Sequence, residues 1–255
     1  MSITLRPETR HNHMRVLIAT LKMFAFLVLN ITLVPVHALI VALHKGVGRH
    51  IVPKLYHTLA CAVFQIRISH AGEPVKDAQT LFMANHLSYF DIPLLSTLLP
   101  RPHFVAKKDV KDWPVWGFLA KLQQTAFISR NPAHAQKETQ SLETMVKDGK
   151  NLVIFAEGTS TDGTSVLPFK SSLFTIAYGE HDDSLRIQPV TLRVKSINGV
   201  RSSGGDIENL YAWPRELDME LIPHLWRFAQ SKGAEIEVIF HDSIDPRAFS
   251  DRKTL

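Results

Sequence analysis

Cysteine is nearly missing from this chain of 255 residues: Cys61 stands alone. One thiol excludes an internal disulfide and any zinc site built on cysteines, and it fits a reducing compartment. Thirteen histidines are present, yet none forms a His-Glu-x-x-His pair, so the helical metal-hydrolase pattern is missing and no metal site is expected. His181-Asp182-Asp183 reads instead as a polar turn. The chain also lacks zinc-finger spacing, an RNA-binding aromatic signature and a long Lys/Arg tail. A nucleic-acid partner is therefore not expected, although the net charge is +5 and the pI about 9.3. The basic surplus points to anionic membrane surfaces or acidic proteins. No internal repeat or low-complexity tract is found.

What the chain does have is a long apolar opening. The run from Met23 to Leu43 carries no charge. As a helix it would be roughly 31 Å long, about the thickness of a bilayer core. Asn30, Pro35 and His37 interrupt it. No small-residue cleavage site follows, so a removed signal peptide is not expected. Arg6, Arg10, Arg15 and Lys22 precede the run and Lys45, Arg49, Lys54 and Arg67 follow it, so flanking charge selects neither orientation. A second apolar stretch, His50 to Phe64, begins just after Gly46 and Gly48. Three readings stay open for residues 1–64: a single membrane span, a two-helix hairpin dipping into one leaflet, and a buried helix of a soluble core.

Beyond Phe64 the pattern changes to short strands and helices, which defines a second unit, 65–255. Strands are expected at 65–69, 80–84, 103–107, 125–129, 151–156, 186–194 and 234–240. Helices are expected at 93–99, 114–123, 133–148, 171–178 and 219–230. Such alternation predicts an α/β domain with a central mixed sheet flanked by helices. The Gly- and Ser-rich segment 196–206 reads as a loop.

One spacing stands out. In Leu81-Phe82-Met83-Ala84-Asn85-His86-Leu87-Ser88-Tyr89-Phe90-Asp91-Ile92-Pro93 a strand ends just before a histidine, and an aspartate follows five positions later. Five residues on one helix rotate a side chain by about 140°, so His86 and Asp91 meet only if His86 lies in a loop and Asp91 opens the next helix. Pro93 suits a first helical turn and disfavours helix at Ile92. Ser88 to Asp91 also matches a capping box. Taken alone, the spacing permits either a helix cap or a base with its orienting carboxylate. In the second case a neutral imidazole takes the proton of an attacking hydroxyl, and the carboxylate holds its tautomer.

Three further blocks follow in order: Phe127-Ile128-Ser129-Arg130, Phe155-Ala156-Glu157-Gly158-Thr159, and Pro189-Val190. With Asn85, His86 and Asp91 these resemble the glycerolipid acyltransferase family typified by 1-acylglycerol-3-phosphate acyltransferase. The resemblance implies that His86 is the base and Asp91 its partner. It also implies an acceptor site around Arg130, Glu157, Gly158, Thr159, Ser160 and Lys170. Backbone N–H groups near Gly158 are one candidate for stabilising the oxyanion. The family's donor is an acyl thioester on acyl carrier protein or coenzyme A, a co-substrate, so no bound cofactor is expected. Lys107, Lys108 and Lys111 would suit an acidic carrier protein, and the segment Trp113 to Phe118 would suit an acyl groove, a lipid interface or the core.

The pattern departs from the family at Ser160, which stands where most members have an arginine. A hydroxyl lacks the charge and bidentate geometry that hold a phosphate. The block from Glu157 to Phe174, with Asp218 to Trp226, is more similar to the lyso-ornithine lipid acyltransferase subgroup. That similarity implies a membrane-bound enzyme that acylates the free hydroxyl of lyso-ornithine lipid, its active site facing the cytoplasm. There Arg130 would meet the head-group carboxylate, and Glu157 or Asp162 its ammonium. The alternatives are a 1-acylglycerol-3-phosphate acyltransferase and a lipid-binding membrane protein without chemistry. A serine hydrolase is disfavoured, because Gly158 to Asp162 lacks the closing glycine of a nucleophile elbow.

Overall fold

Thr80–Ala84 forms strand β2, and all five residues are buried. Burial of successive residues means that both faces are covered, as in a central parallel strand. The computed structural model describes residues 7–43, 48–128, 132–179, 184–201, 209–214, 219–251 and 254. In it β2 pairs in parallel with β5 (Asn151–Phe155) on one side and β6 (Arg186–Ile197) on the other. The sheet extends through β3 (Pro102–Lys107) to β4 (Ala126–Ile128), both parallel. On the other side β8 (Ala234–Phe240) runs antiparallel to β6, and β1 (Ile66–Ala71) runs parallel to β8. The order is β1-β8-β6-β2-β5-β3-β4, so the central sheet is mixed, as expected.

Helices flank the sheet: α3 (Asp91–Leu98), α4 (Trp116–Leu122), α5 (Pro132–Lys147) and α6 (Leu221–Ala229). One apolar cluster joins Phe82, Leu94, Leu95 and Phe104 to Phe228 and Val238. A second, on the other face, joins Leu81, Met83, Val105 and Ile154 to Leu142, Val146 and Ile187.

Several expectations are corrected. The α3 helix begins at Asp91 and includes Ile92, with Pro93 inside its first turn. The first turn tolerates proline because its N–H groups lack intrahelical acceptors anyway. Ser171–Tyr178 is 3-10 rather than α-helical. In the segment taken as a loop, β6 runs on to Ile197 and turns through Asn198-Gly199 into a short strand β7 (Val200–Arg201). Both turn residues have positive φ, 57° and 80°, the geometry an Asn-Gly hairpin turn needs. Residues 202–206 of that segment, and His181-Asp182-Asp183, lie outside the described residues.

The amino-terminal helices α1 (Pro7–Leu43) and α2 (Gly48–Val63) pack against each other, and α1 starts well before the uncharged run. The stretch Asn12–Leu43 is long and apolar enough to cross a membrane, and only 11% of its most apolar window is buried. A helix from a soluble core would bury its apolar face; here Phe24, Leu27, Ile31 and Leu39 are exposed. The polar interruption at Asn30 is satisfied internally: its Nδ2 donates to Phe26 O at 2.7 Å, and Tyr56 Oη donates to its Oδ1 at 3.1 Å. The pair is anchored to the α/β unit where Phe64, just after α2, meets Phe90 and Phe228 with ring centroids 5.3 and 6.5 Å apart.

Replacing Phe24, Leu27 and Ile31 together with serine should shift the protein from the carbonate-washed membrane pellet toward the supernatant. Each side chain is worth about 1.5–3 kcal/mol of apolar burial. Retention of the triple variant in the pellet at the wild-type level would show that this face is not the one held by lipid.

Candidate active site

His86 and Asp91 meet. β2 ends at Ala84, and Asn85 then completes a backbone-like pair with β6: its Oδ1 accepts from Leu192 N at 2.7 Å and its Nδ2 donates to Leu192 O at 3.0 Å. That clamp ends the strand and turns the chain out, so that residues 85–90 form a loop at the carboxyl end of β2. Such strand ends are where open α/β sheets bind ligands. His86 Nδ1 lies 2.8 Å from Asp91 Oδ2. An ionised carboxylate only accepts hydrogen bonds, so Nδ1 carries the proton and Nε2 keeps its lone pair. The imidazole stacks on Phe155 at the end of β5, centroids 3.9 Å apart. Its side chain is 20% exposed while that of Asp91 is fully buried.

Asp91 does more than orient the histidine. Its Oδ2 also accepts from Leu87 N at 2.7 Å and Ser88 N at 2.9 Å, and its Oδ1 accepts from Tyr211 Oη at 2.8 Å. The expected capping box does not form: the helix is capped at Phe90, without a side-chain cap hydrogen bond, and Asp91 is its first residue. The Asp91 carboxylate thus serves the loop that carries His86 rather than the cap of the helix.

The Glu157-Gly158-Thr159 turn follows β5 directly beside this loop. Glu157 is 2% exposed. Its Oε1 accepts from His86 N at 3.0 Å and its Oε2 from Leu167 N at 2.7 Å. Both oxygens are therefore engaged in holding the His86 loop against the segment that leads to Lys170. Gly158 has φ +67°, and a Cβ there would come within 2.8 Å of Lys170 Nζ, so the ammonium lies against the turn. The Gly158 N–H donates to Phe155 O at 2.9 Å, which removes that group as an oxyanion donor. Thr159 is half-buried. Ser160 is buried, and its hydroxyl donates to Trp213 O at 2.7 Å. Lys170 is exposed, with its N–H donating to Ala156 O at 3.0 Å. Arg130 lies outside the described residues. In the segment Trp113 to Phe118, Val115 and Phe118 are exposed, which rules out the core as the place of those two side chains. Among the described residues no group of three or more His, Cys, Asp or Glu is arranged to hold a metal ion.

The Acyltransferase family model matches residues 67–193. A lyso-ornithine lipid O-acyltransferase of Brucella abortus is 32% identical over 248 residues, 94% of this chain and 91% of that protein. One from Rhodobacter capsulatus is 37% identical over 199 residues, 77% and 68% of the two chains. The chain belongs to the acyltransferase family. The enzyme's fold is also that of the crystal structure of the 1-acyl-sn-glycerophosphate acyltransferase of Thermotoga maritima. The TM-score is 0.65 at 17% identity, covering 94% of this chain and 90% of that one.

Three residues of this acyltransferase's site escaped the sequence reading: Tyr211, Trp213 and His224. Residues 209–214 lie across the back of the His86 loop. Trp213 N donates to Leu87 O at 2.8 Å, and Thr161 N donates to His86 O at 2.9 Å. His224 on α6 sits between Ala212 O and Tyr89 Oη, both at 2.9 Å. The carbonyl can only accept, so Nε2 carries the proton and Nδ1 takes that of Tyr89. Burial holds the His224 pKa below its ordinary value and pushes that of Tyr211 well up, with Asp91 adding to the second effect. Both groups stay neutral near pH 7. The signal for them was faint: a short polar-aromatic stretch some 120 positions from Asp91 in the chain.

Asp91→Asn should lower kcat by at least about a hundredfold, because an amide matches neither the histidine tautomer nor four incoming donors. Steady-state acyl transfer measures this, and a loss under fivefold would contradict it. Glu157→Gln leaves an NH₂ facing a backbone N–H and should cost about 1–3 kcal/mol of stability in thermal unfolding. The acceptor KM should change little. A large KM rise with unchanged stability would instead put Glu157 on the acceptor.

Proposed function

We propose that the chain is a membrane-bound lysolipid O-acyltransferase, that His86 is its general base, and that its acceptor is lyso-ornithine lipid. The observation that carries the chemistry is the His86–Asp91 pair at 2.8 Å, with the imidazole side chain partly open to solvent. Nε2 removes the proton of the acceptor hydroxyl as its oxygen attacks the carbonyl carbon of an acyl thioester. The tetrahedral intermediate collapses with cleavage of the C–S bond, and the imidazolium returns the proton to the departing thiolate. Asp91 stabilises the imidazolium, while its other donors hold the carboxylate in place. No enzyme nucleophile is needed, because the thioester is already activated.

The acceptor assignment is supported by the relatives' names and by Ser160. A serine whose hydroxyl is committed to Trp213 O leaves the usual phosphate-binding place without a charge. An ornithine head group offers a carboxylate and an ammonium instead. Lys170, lying against Gly158, suits the carboxylate, as would Arg130. Asp162 is exposed, and hydrogen bonds from the Thr164 N–H and hydroxyl hold its pKa below the usual carboxylate range. It suits the ammonium better than Glu157, whose oxygens are both in use. Gly158, Thr159 and Ser160 then shape the acceptor turn rather than carry charge. The donor is a long acyl chain on acyl carrier protein or coenzyme A, with Lys107, Lys108 and Lys111 as the docking face for an acidic carrier. Such thioesters are cytoplasmic, so the active site faces the cytoplasm, at the inner membrane in a bacterium.

The test is acyl transfer by the purified protein to lyso-ornithine lipid and to 1-acylglycerol-3-phosphate, beside His86→Ala. Ornithine lipid should form, and the variant should lose roughly a hundredfold or more in rate. Product from the phosphate lipid alone would refute the acceptor assignment, and a fully active His86→Ala would refute the mechanism.

A further inference from the structure

Far from His86, a cavity of about 320 Å³ opens where the ends of α1 and α2 meet the start of β3. Its charged and titratable lining is His37, Arg49, His50, Lys54, Arg101 and His103, with no acidic side chain among the lining residues. The α3 helix separates the cavity from the catalytic pair. Asp91 opens that helix, while Ser96 and Leu99 at its far end line the cavity. At 1.5 Å per residue the two sites are about 12 Å apart along its axis.

One buried polar atom in this cavity is left without a partner: Nε of Arg49 makes no hydrogen bond. A guanidinium Nε–H is always a donor, and Arg49 has placed only Nη2, on Val41 O at 3.0 Å. A buried donor with no acceptor is costly, and an oxyanion would remove that cost. Arg101 adds a second feature: a non-glycine residue at φ +46°. Such backbone is retained where the surroundings require it, and it accompanies binding sites. Positive charge is crowded here. Burial first, then the charges of Lys150 and His50, hold the His103 pKa below its ordinary value.

We infer that this cavity binds a phosphate oxyanion, held by Arg49, Lys54 and Arg101, and that its source is the head group of an anionic phospholipid. Two observations favour lipid over free phosphate. Beside Ser96, Gln123 and Gln124 the remaining walls are apolar, with Val41, Ile51, Pro53, Leu99 and Leu122 among them. The cavity also sits at the end of the long apolar helix, which stops at Leu43. Basic pockets at such helix ends lie at head-group depth. The site is independent of the acceptor assignment, because none of its residues belongs to the catalytic loop or to the turn after β5.

The test is calorimetric binding to the purified full-length protein in detergent. The probes are dihexanoyl phosphatidylglycerol, dihexanoyl phosphatidylcholine and inorganic phosphate. The anionic lipid should bind about tenfold or more tightly than the zwitterionic one, and Arg49→Gln and Arg101→Gln should each weaken it by about tenfold. Far-UV circular dichroism and the melting temperature report folding; if either variant unfolds, Lys54→Gln carries the same expectation. Equal binding of the two lipids, or binding indifferent to these substitutions, would overturn the site. Inorganic phosphate binding as tightly as the lipid would overturn the lipid source. His86→Ala should bind phosphatidylglycerol as wild type does, so failure here and failure of the acyl-transfer assay are read separately.

Discussion

One buried carboxylate organises the loop at the carboxyl end of β2. Asp91 is fully buried and accepts four hydrogen bonds: one imidazole, two backbone N–H groups and a tyrosine hydroxyl. An ionised group so deep in apolar surroundings is tolerated only when its lone pairs are met. Each donor is consequently fixed in turn. The His86 loop cannot swing without stripping Leu87 N and Ser88 N, and residues 209–214 cannot lift without stripping Tyr211. The charge that sets the histidine tautomer is also what folds the loop around it.

The remaining architecture serves that loop. β2 lies between two parallel neighbours, and Asn85 ends it by imitating a strand partner to Leu192. Glu157 performs the same service from β5, tying His86 N to Leu167 N. Three elements distant in the chain, the ends of β2 and β5 and the segment before α6, thus converge on a few ångströms of backbone. The amino-terminal helices join this framework at Phe64 and leave most of their apolar surface facing outward.

Much of this was readable from the residues, and the rest failed for physical reasons. An unbroken apolar run located β2, buried on both faces, and a strict apolar–polar alternation located β8, buried on one, both to the residue. The Asn198-Gly199 hairpin was passed over because its Gly- and Ser-rich surroundings resemble a loop. Pro93 suggested a helix starting later than Asp91, although a first turn accommodates proline. The spacing of the motif carried the meeting of His86 with Asp91, but not the backbone partners of the residues around them. Glu157 looked like a head-group contact and Gly158 like an oxyanion donor. In the folded chain the Glu157 oxygens accept from His86 N and Leu167 N, and the Gly158 N–H donates to Phe155 O.

By itself, the amino-acid order determined what periodicity and local chemistry can carry. It set the succession of strands and helices, the apolar amino-terminal helices, and the loop placement that lets a histidine meet an aspartate five residues on. Only the tertiary structure decided which groups converge from afar. Tyr211 on Asp91, Trp213 over Ser160, and Arg49 and Arg101 around one cavity each join residues tens of positions apart. Hydrogen bonds and charge act over a few ångströms of space, whatever the distance along the chain.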